Sequence, residues 1–133
     1  MTISLTPQEA ESYFYNALCN GLGYIGDYGL ELTYDDADYK AAKQNILKNK
    51  TAEDISVVCY EDVLLQILRD GKTLTLVDNE YGEDPAEITI LHVHERVEKT
   101  PLRHLMDIIN ENDDATTADV ILQTVFLGDV VYG

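Results

Sequence analysis

Apolar residues recur at helical spacing in four stretches of the chain and alternate with polar residues in others, and these two periods predict most of its elements. The first helical stretch, Ala10, Tyr13, Phe14, Ala17 and Leu18, is preceded by Thr6, Pro7 and Glu9. Thr6 offers a side-chain oxygen as N-cap, Pro7 fits the first helical position, where no N–H is needed, and Glu9 completes a capping box. Gly21 is expected to close this helix, because Gly23, Gly26 and Gly29 follow at short intervals and glycine weakens a helix interior. Leu30, Leu32 and Tyr34 then alternate as a short strand does. Asp35 or Asp36 caps a second helix through Ala41, Ala42 and Ile46 to about Asn49. Its stripe is thin, and Lys40, Lys43, Lys48 and Lys50 mark it as a surface element.

Thr51 to Val58 fits neither period. Tyr60, Val63, Leu64, Ile67 and Leu68 follow the i, i+3, i+4, i+7, i+8 pattern of a core helix that Gly71 can end. Thr73 to Leu76 alternates, a polar turn passes through Gly82 and Pro85, and Glu87 to Leu91 is again rich in strand formers, which predicts a hairpin. A turn centred near Gly82 and Glu83 sets Asp78 opposite about Ile88. Thr100 and Pro101 open another helix, striped by Leu102, Leu105, Met106 and Ile109. Asn112, Asp113 and Asp114 precede a last one with Ala118, Ile121, Leu122, Val125 and Phe126, closed by Gly128.

Four stripes that need burial, with few strands joined by short turns, predict an α+β fold. About four to five helices should pack on one face of a small antiparallel sheet containing a β-hairpin. No linker or repeat divides the chain, so residues 1–133 are expected to form a single globular domain. No stretch approaches the roughly 18 apolar residues of a membrane span. Met1 to Pro7 lacks the basic start and apolar run of a leader. Cys19 and Cys59 are too few and too far apart for a disulfide framework, which points to a reducing, cytoplasmic location.

Charge changes the picture most. The chain carries 25 Asp and Glu against 9 Lys and Arg, a formal net charge of −16, yet 45% of it is hydrophobic, so it is a folded body with an anionic skin and not a disordered tail. Residues 1–50 hold 7 of the 25 acids, so the surplus lies in the later part of the chain. A field of this sign repels nucleic acid and anionic membranes and attracts basic proteins. Tyrosine runs the other way, with Tyr13, Tyr15, Tyr24, Tyr28, Tyr34 and Tyr39 within the first 39 positions.

Motifs with chemistry are weak. Gly21, Gly23 and Gly26 spell the spacing of a dinucleotide loop, but the helix precedes and the strand follows, the reverse of what a phosphate site needs. His92 and His94 form an HxH pair, the candidate metal ligands: on a strand both imidazoles share a face, whereas on a helical turn they splay by about 200°. Asp78 to Asp84 offers oxygen ligands without the glycine and glutamate positions of a calcium loop. Cys59 reads as a buried or half-buried structural thiol. Paired carboxylates stand where caps and turns want them. Neither a catalytic residue nor a cofactor is assigned.

The expected function is therefore non-catalytic protein binding. The acidic candidates are Glu61, Asp62, Glu80, Glu83, Glu95, Glu98, Asp107, Glu111 and Asp114, and the aromatic ones are Tyr15, Tyr24 and Tyr28. The expected partner is a basic or nucleic-acid-binding protein, with neither nucleic acid nor membrane bound directly, and self-association through the tyrosines is a further outcome. Solubility alone is the bland account of the charge. The alternatives are a DNA mimic that offers carboxylates where duplex DNA offers phosphates, and a metal-dependent enzyme built on His92 and His94.

Overall fold

In the computed structural model, residues 3–48, 58–80 and 84–132 are described. In chain order they form α1 (Pro7–Gly26), β1 (Leu30–Thr33), α2 (Asp36–Lys48), α3 (Tyr60–Arg69), β2 (Leu74–Asp78), β3 (Ala86–Ile88) and α4 (Ile90–Arg96). A 3-10 turn (Val97–Lys99), α5 (Leu102–Ile109) and α6 (Ala115–Leu127) follow. The class is α+β as predicted, with six α-helices and a three-stranded antiparallel sheet of order β1-β2-β3 among the described residues.

α1 begins as its sequence dictates. Thr6 Oγ1 accepts from the Glu9 N–H at 3.2 Å, and Glu9 Oε1 accepts from the Thr6 N–H at 2.9 Å. It does not stop at Gly21 but runs to Gly26, which corrects the expected end. The reason is packing. Gly21 is buried against α6, where a Cβ would lie 3.0 Å from both Ala118 Cβ and Leu122 Cδ1. The missing side chain lets two helices approach closely, and that contact outweighs the weak helix propensity of glycine. The chain turns at Gly29, where φ is +81° and a Cβ would lie 2.7 Å from Glu80 Cβ, and enters β1.

α6 is the axis of the molecule. All ten residues from Thr117 to Phe126 are buried, so its sequence shows no true outer face. It packs against α1, α4, α5 and β3. α5 turns Leu105 and Ile108 inward, while Leu102 and Met106, expected in its buried stripe, are exposed.

β2 is the central strand. Leu74, Leu76 and Asp78 point inward by the period of two, so Asp78 is carried into the interior with the leucines. The hairpin register pairs Leu74 with Ile88 and Leu76 with Ala86, which corrects the expected pairing of Asp78 with Ile88. β3 is short because Thr89 starts a helix: its N–H donates to His92 Nδ1 at 2.9 Å, closing the first turn of α4. The stretch from Thr51 up to residue 57, residues 81–83 where a turn was expected, and Asn49 and Lys50 at the expected end of the second helix lie outside the described residues.

Candidate functional site

The acidic candidates are spread over several elements. Glu61 and Asp62 occupy the first turn of α3, and Glu80 follows β2. Glu95 and Glu98 lie on α4 and the 3-10 turn, Asp107 and Glu111 on and just after α5, and Asp114 caps α6. Glu80, Glu95, Glu111 and Asp114 are exposed; Glu61, Asp62, Glu98 and Asp107 are half-buried; Glu83 lies outside the described residues. Two of them have local duties. Asp62 Oδ2 accepts from the Cys59 N–H at 2.9 Å, and Asp114 Oδ1 accepts from the Thr117 N–H at 2.9 Å. The Thr117 N–H beside Asp114 holds its carboxyl below the usual range.

Among the described residues the ion pairs both belong to Glu11, with Arg69 at 2.7 Å and His94 at 2.8 Å. Among the described residues, therefore, most carboxylates have no cationic partner within 4.0 Å.

Of the aromatic candidates, Tyr24 is 41% exposed. Tyr15 is half-buried, its hydroxyl hydrogen-bonded to Asp62, and that bond together with burial raises its ionisation well above the ordinary tyrosine value. Tyr28 is turned inward. Its hydroxyl donates to Asp119 Oδ2 at 3.0 Å and its ring stacks on Tyr132 with centroids 5.3 Å apart. Burial, and then the Asp119 carboxylate, push it up to about 12. A different aromatic group forms at the surface. Tyr34 and Tyr39 stack at 5.3 Å and Tyr60 leans on both, at 6.2 and 6.0 Å, where β1, α2 and α3 meet. Tyr60 is 41% exposed although its spacing placed it in a core stripe, because it stands at the first position of α3.

The histidines separate. His92 caps α4, His94 Nε2 meets Glu11 Oε2, and His104 Nδ1 lies 3.3 Å from Thr117 Oγ1. Since His92 and His94 sit two residues apart on a helix, they do not share a face. Among the described residues no three His, Cys, Asp or Glu side chains converge as a metal set. Cys59 is exposed, not buried, standing at the N-cap of α3, and Cys19 is exposed as well. Burial still pushes the Cys19 thiol up, and the carboxylates of Glu61 and Asp62 add to it.

A polar network missed by the apolar patterns ties the tail to the body. Gln123, fully buried, accepts the N–H groups of Val131 and Tyr132 on Oε1, each at 2.8 Å, and donates to Asp119 Oδ1 and the Tyr132 carbonyl. The Tyr132 hydroxyl donates to Asp78 Oδ2 at 2.8 Å. Its signal in sequence was polar residues on an otherwise apolar helix, Asp119 and Gln123 at i and i+4. Beside this network, at the C-terminal end of α6, opens a cavity of about 520 Å³.

No protein-family model matches this chain, and neither a curated protein nor a solved structure matches it.

Proposed function

We propose that this protein works by binding a basic protein through its anionic exterior, without chemistry of its own. The observation that carries the reading is the uncompensated charge: a net −16, with the internal ion pairs among described residues confined to Glu11. Exposed carboxylates repel one another weakly through water and salt, about 0.6 kcal/mol for a pair 7 Å apart. A basic surface relieves that repulsion and is drawn in faster than diffusion alone allows.

The test is capture of partners from cell extract on immobilised protein at about 50 mM and 500 mM salt, where Debye screening differs severalfold. A basic protein held at low salt and released at high salt is the expected result. Capture that ignores salt overturns the reading and points to the Tyr34, Tyr39 and Tyr60 surface. Adding duplex DNA to the same experiment separates the DNA-mimic version, since a partner with a nucleic-acid groove is displaced by it.

A further inference from the structure

We infer that the outer face of α5 is a contact between two copies of this chain, formed by two α5 helices lying antiparallel about a twofold axis. The inference goes beyond the reading above and is independent of it, since it concerns another surface and another partner.

α5 carries a wider apolar arc than the fold covers. Leu105 and Ile108 are buried, on a helix that packs chiefly against α6. Leu102 and Met106, one turn apart, are 43% and 40% exposed, and half-buried Ile109 continues their row at i+7. At 100° per residue the arc from Ile108 round to Met106 spans about 160° of the helix surface. The fold buries one side of that arc and leaves the other in solvent. A lone exposed leucine is ordinary, whereas a row continuous with the core is a ridge ready for a second helix.

The polar residues beside the row say which helix covers it. Arg103, exposed, and Asp107, half-buried, lie one turn apart on the flank next to Met106, and neither makes an ion pair among the described residues. Two identical helices that meet antiparallel present the same flank to each other. Arg103 of each copy then faces Asp107 of the other, the reciprocity that a twofold contact demands. The charged pair and the apolar row are both centred on the turn at Leu105 and Met106, so one axis serves both.

Local charge admits a second copy at this place. Molecules of net charge −16 repel one another, so self-contact belongs where the acidic surplus is absent. Of the 9 Lys and Arg, Arg96, Lys99 and Arg103 fall within residues 96–103, which hold one acid, Glu98. The chain that leads into α5 is therefore locally basic, against the trend of the whole.

The contact is small, since a helix of 8 residues is about 12 Å long, and the dimer is accordingly weak, with a dissociation constant on the order of 100 µM. Sedimentation equilibrium of the full chain from about 5 to 500 µM, at about 50 and 500 mM sodium chloride, tests it. The mean mass should rise from 14.9 kDa toward twice that value, and rise further at the higher salt, where repulsion between the two anionic bodies is screened and the apolar contact is not. A mass fixed at 14.9 kDa throughout, or a dimer dissolved by salt, overturns the proposal. Met106→Glu should weaken dimerisation at least about tenfold, because a twofold contact suffers each change twice, and should leave the circular dichroism spectrum unaltered. Arg103→Asp and Asp107→Arg should each be monomeric alone, yet an equal mixture should form a heterodimer, because every cross-contact then joins opposite charges. An unweakened Met106→Glu dimer, or a mixture that stays monomeric while both variants keep the wild-type spectrum, overturns the assignment to α5. Should Asp107→Arg alter the spectrum, Met106→Glu decides alone. A monomer that still captures a basic partner salt-sensitively removes the dimer and leaves the anionic-surface reading intact, and a dimer that captures none does the reverse.

Discussion

Glu11 joins three helices through one carboxylate, since it sits on α1 and accepts from Arg69 on α3 and His94 on α4. Burial alone would push its acid form up, but the hydrogen bonds and charges of Arg69 and His94 outweigh that and hold it below 4.5. An acid with a depressed folded value stabilises the fold above its unfolded value and loses that contribution as pH falls through the folded one. Glu11→Gln should therefore lower stability at pH 7 by roughly 1 kcal/mol, a modest figure because the Arg69 side chain is half in solvent. Urea melts of the two proteins should converge as pH drops below about 4. Tyr28 has the opposite sign. Its folded value of about 12 exceeds the ordinary 10, so its contribution is complete below pH 10 and is lost as pH rises through 12. Tyr28→Phe leaves Asp119 one donor short in a buried site and should cost about 1–3 kcal/mol. Absorbance titration of the phenolates should lose one raised step near pH 12, and a difference curve between the two proteins without that step would refute the account.

At the scale of elements, one pair of substitutions separates packing from propensity. A Cβ at Gly21 meets Ala118 and Leu122 at 3.0 Å and the Ala118 backbone at 3.1 Å, whereas at Gly23 it meets nothing within 4 Å. Both positions lie in α1, so alanine gains about 1 kcal/mol of helix propensity at each. Gly23→Ala should keep that gain and raise the melting temperature. Gly21→Ala should lose it to overpacking of about 1–3 kcal/mol and melt lower. The same contrast explains which elements were legible. Helix starts were, because Thr6, Pro7, Glu9 and Asp114 act through neighbours in sequence. The end of α1 was not, because Gly21 answers to Ala118, far along the chain. The length of β3 was misread for a different reason: Thr89 and His92 divert into a helix a segment whose residues favour strands.

For the whole molecule, the sum of charge was legible and its arrangement was not, since the candidates from Glu61 to Asp114 come from elements whose relative placement no local pattern encodes. The tyrosines divide likewise: the early cluster was visible by count, but only the fold sends Tyr28 to Asp119 and gathers Tyr34, Tyr39 and Tyr60. A body carrying −16, with few ion pairs among its described residues, should be under electrostatic strain that salt relieves. Its urea midpoint should therefore rise between 10 and 500 mM sodium chloride, where the Debye length falls from about 30 Å to a few ångströms. A falling midpoint would mean that attractive pairs dominate. Neutralising exposed carboxylates that accept no capping hydrogen bond, as in Glu95→Gln with Glu111→Gln, should mimic salt and raise stability by a few tenths of a kcal/mol at low ionic strength. The same double variant should hold a basic partner less tightly. A gain in stability paired with a loss in binding is the signature of charge kept for association, because a surface that served only the fold would improve in both respects or neither.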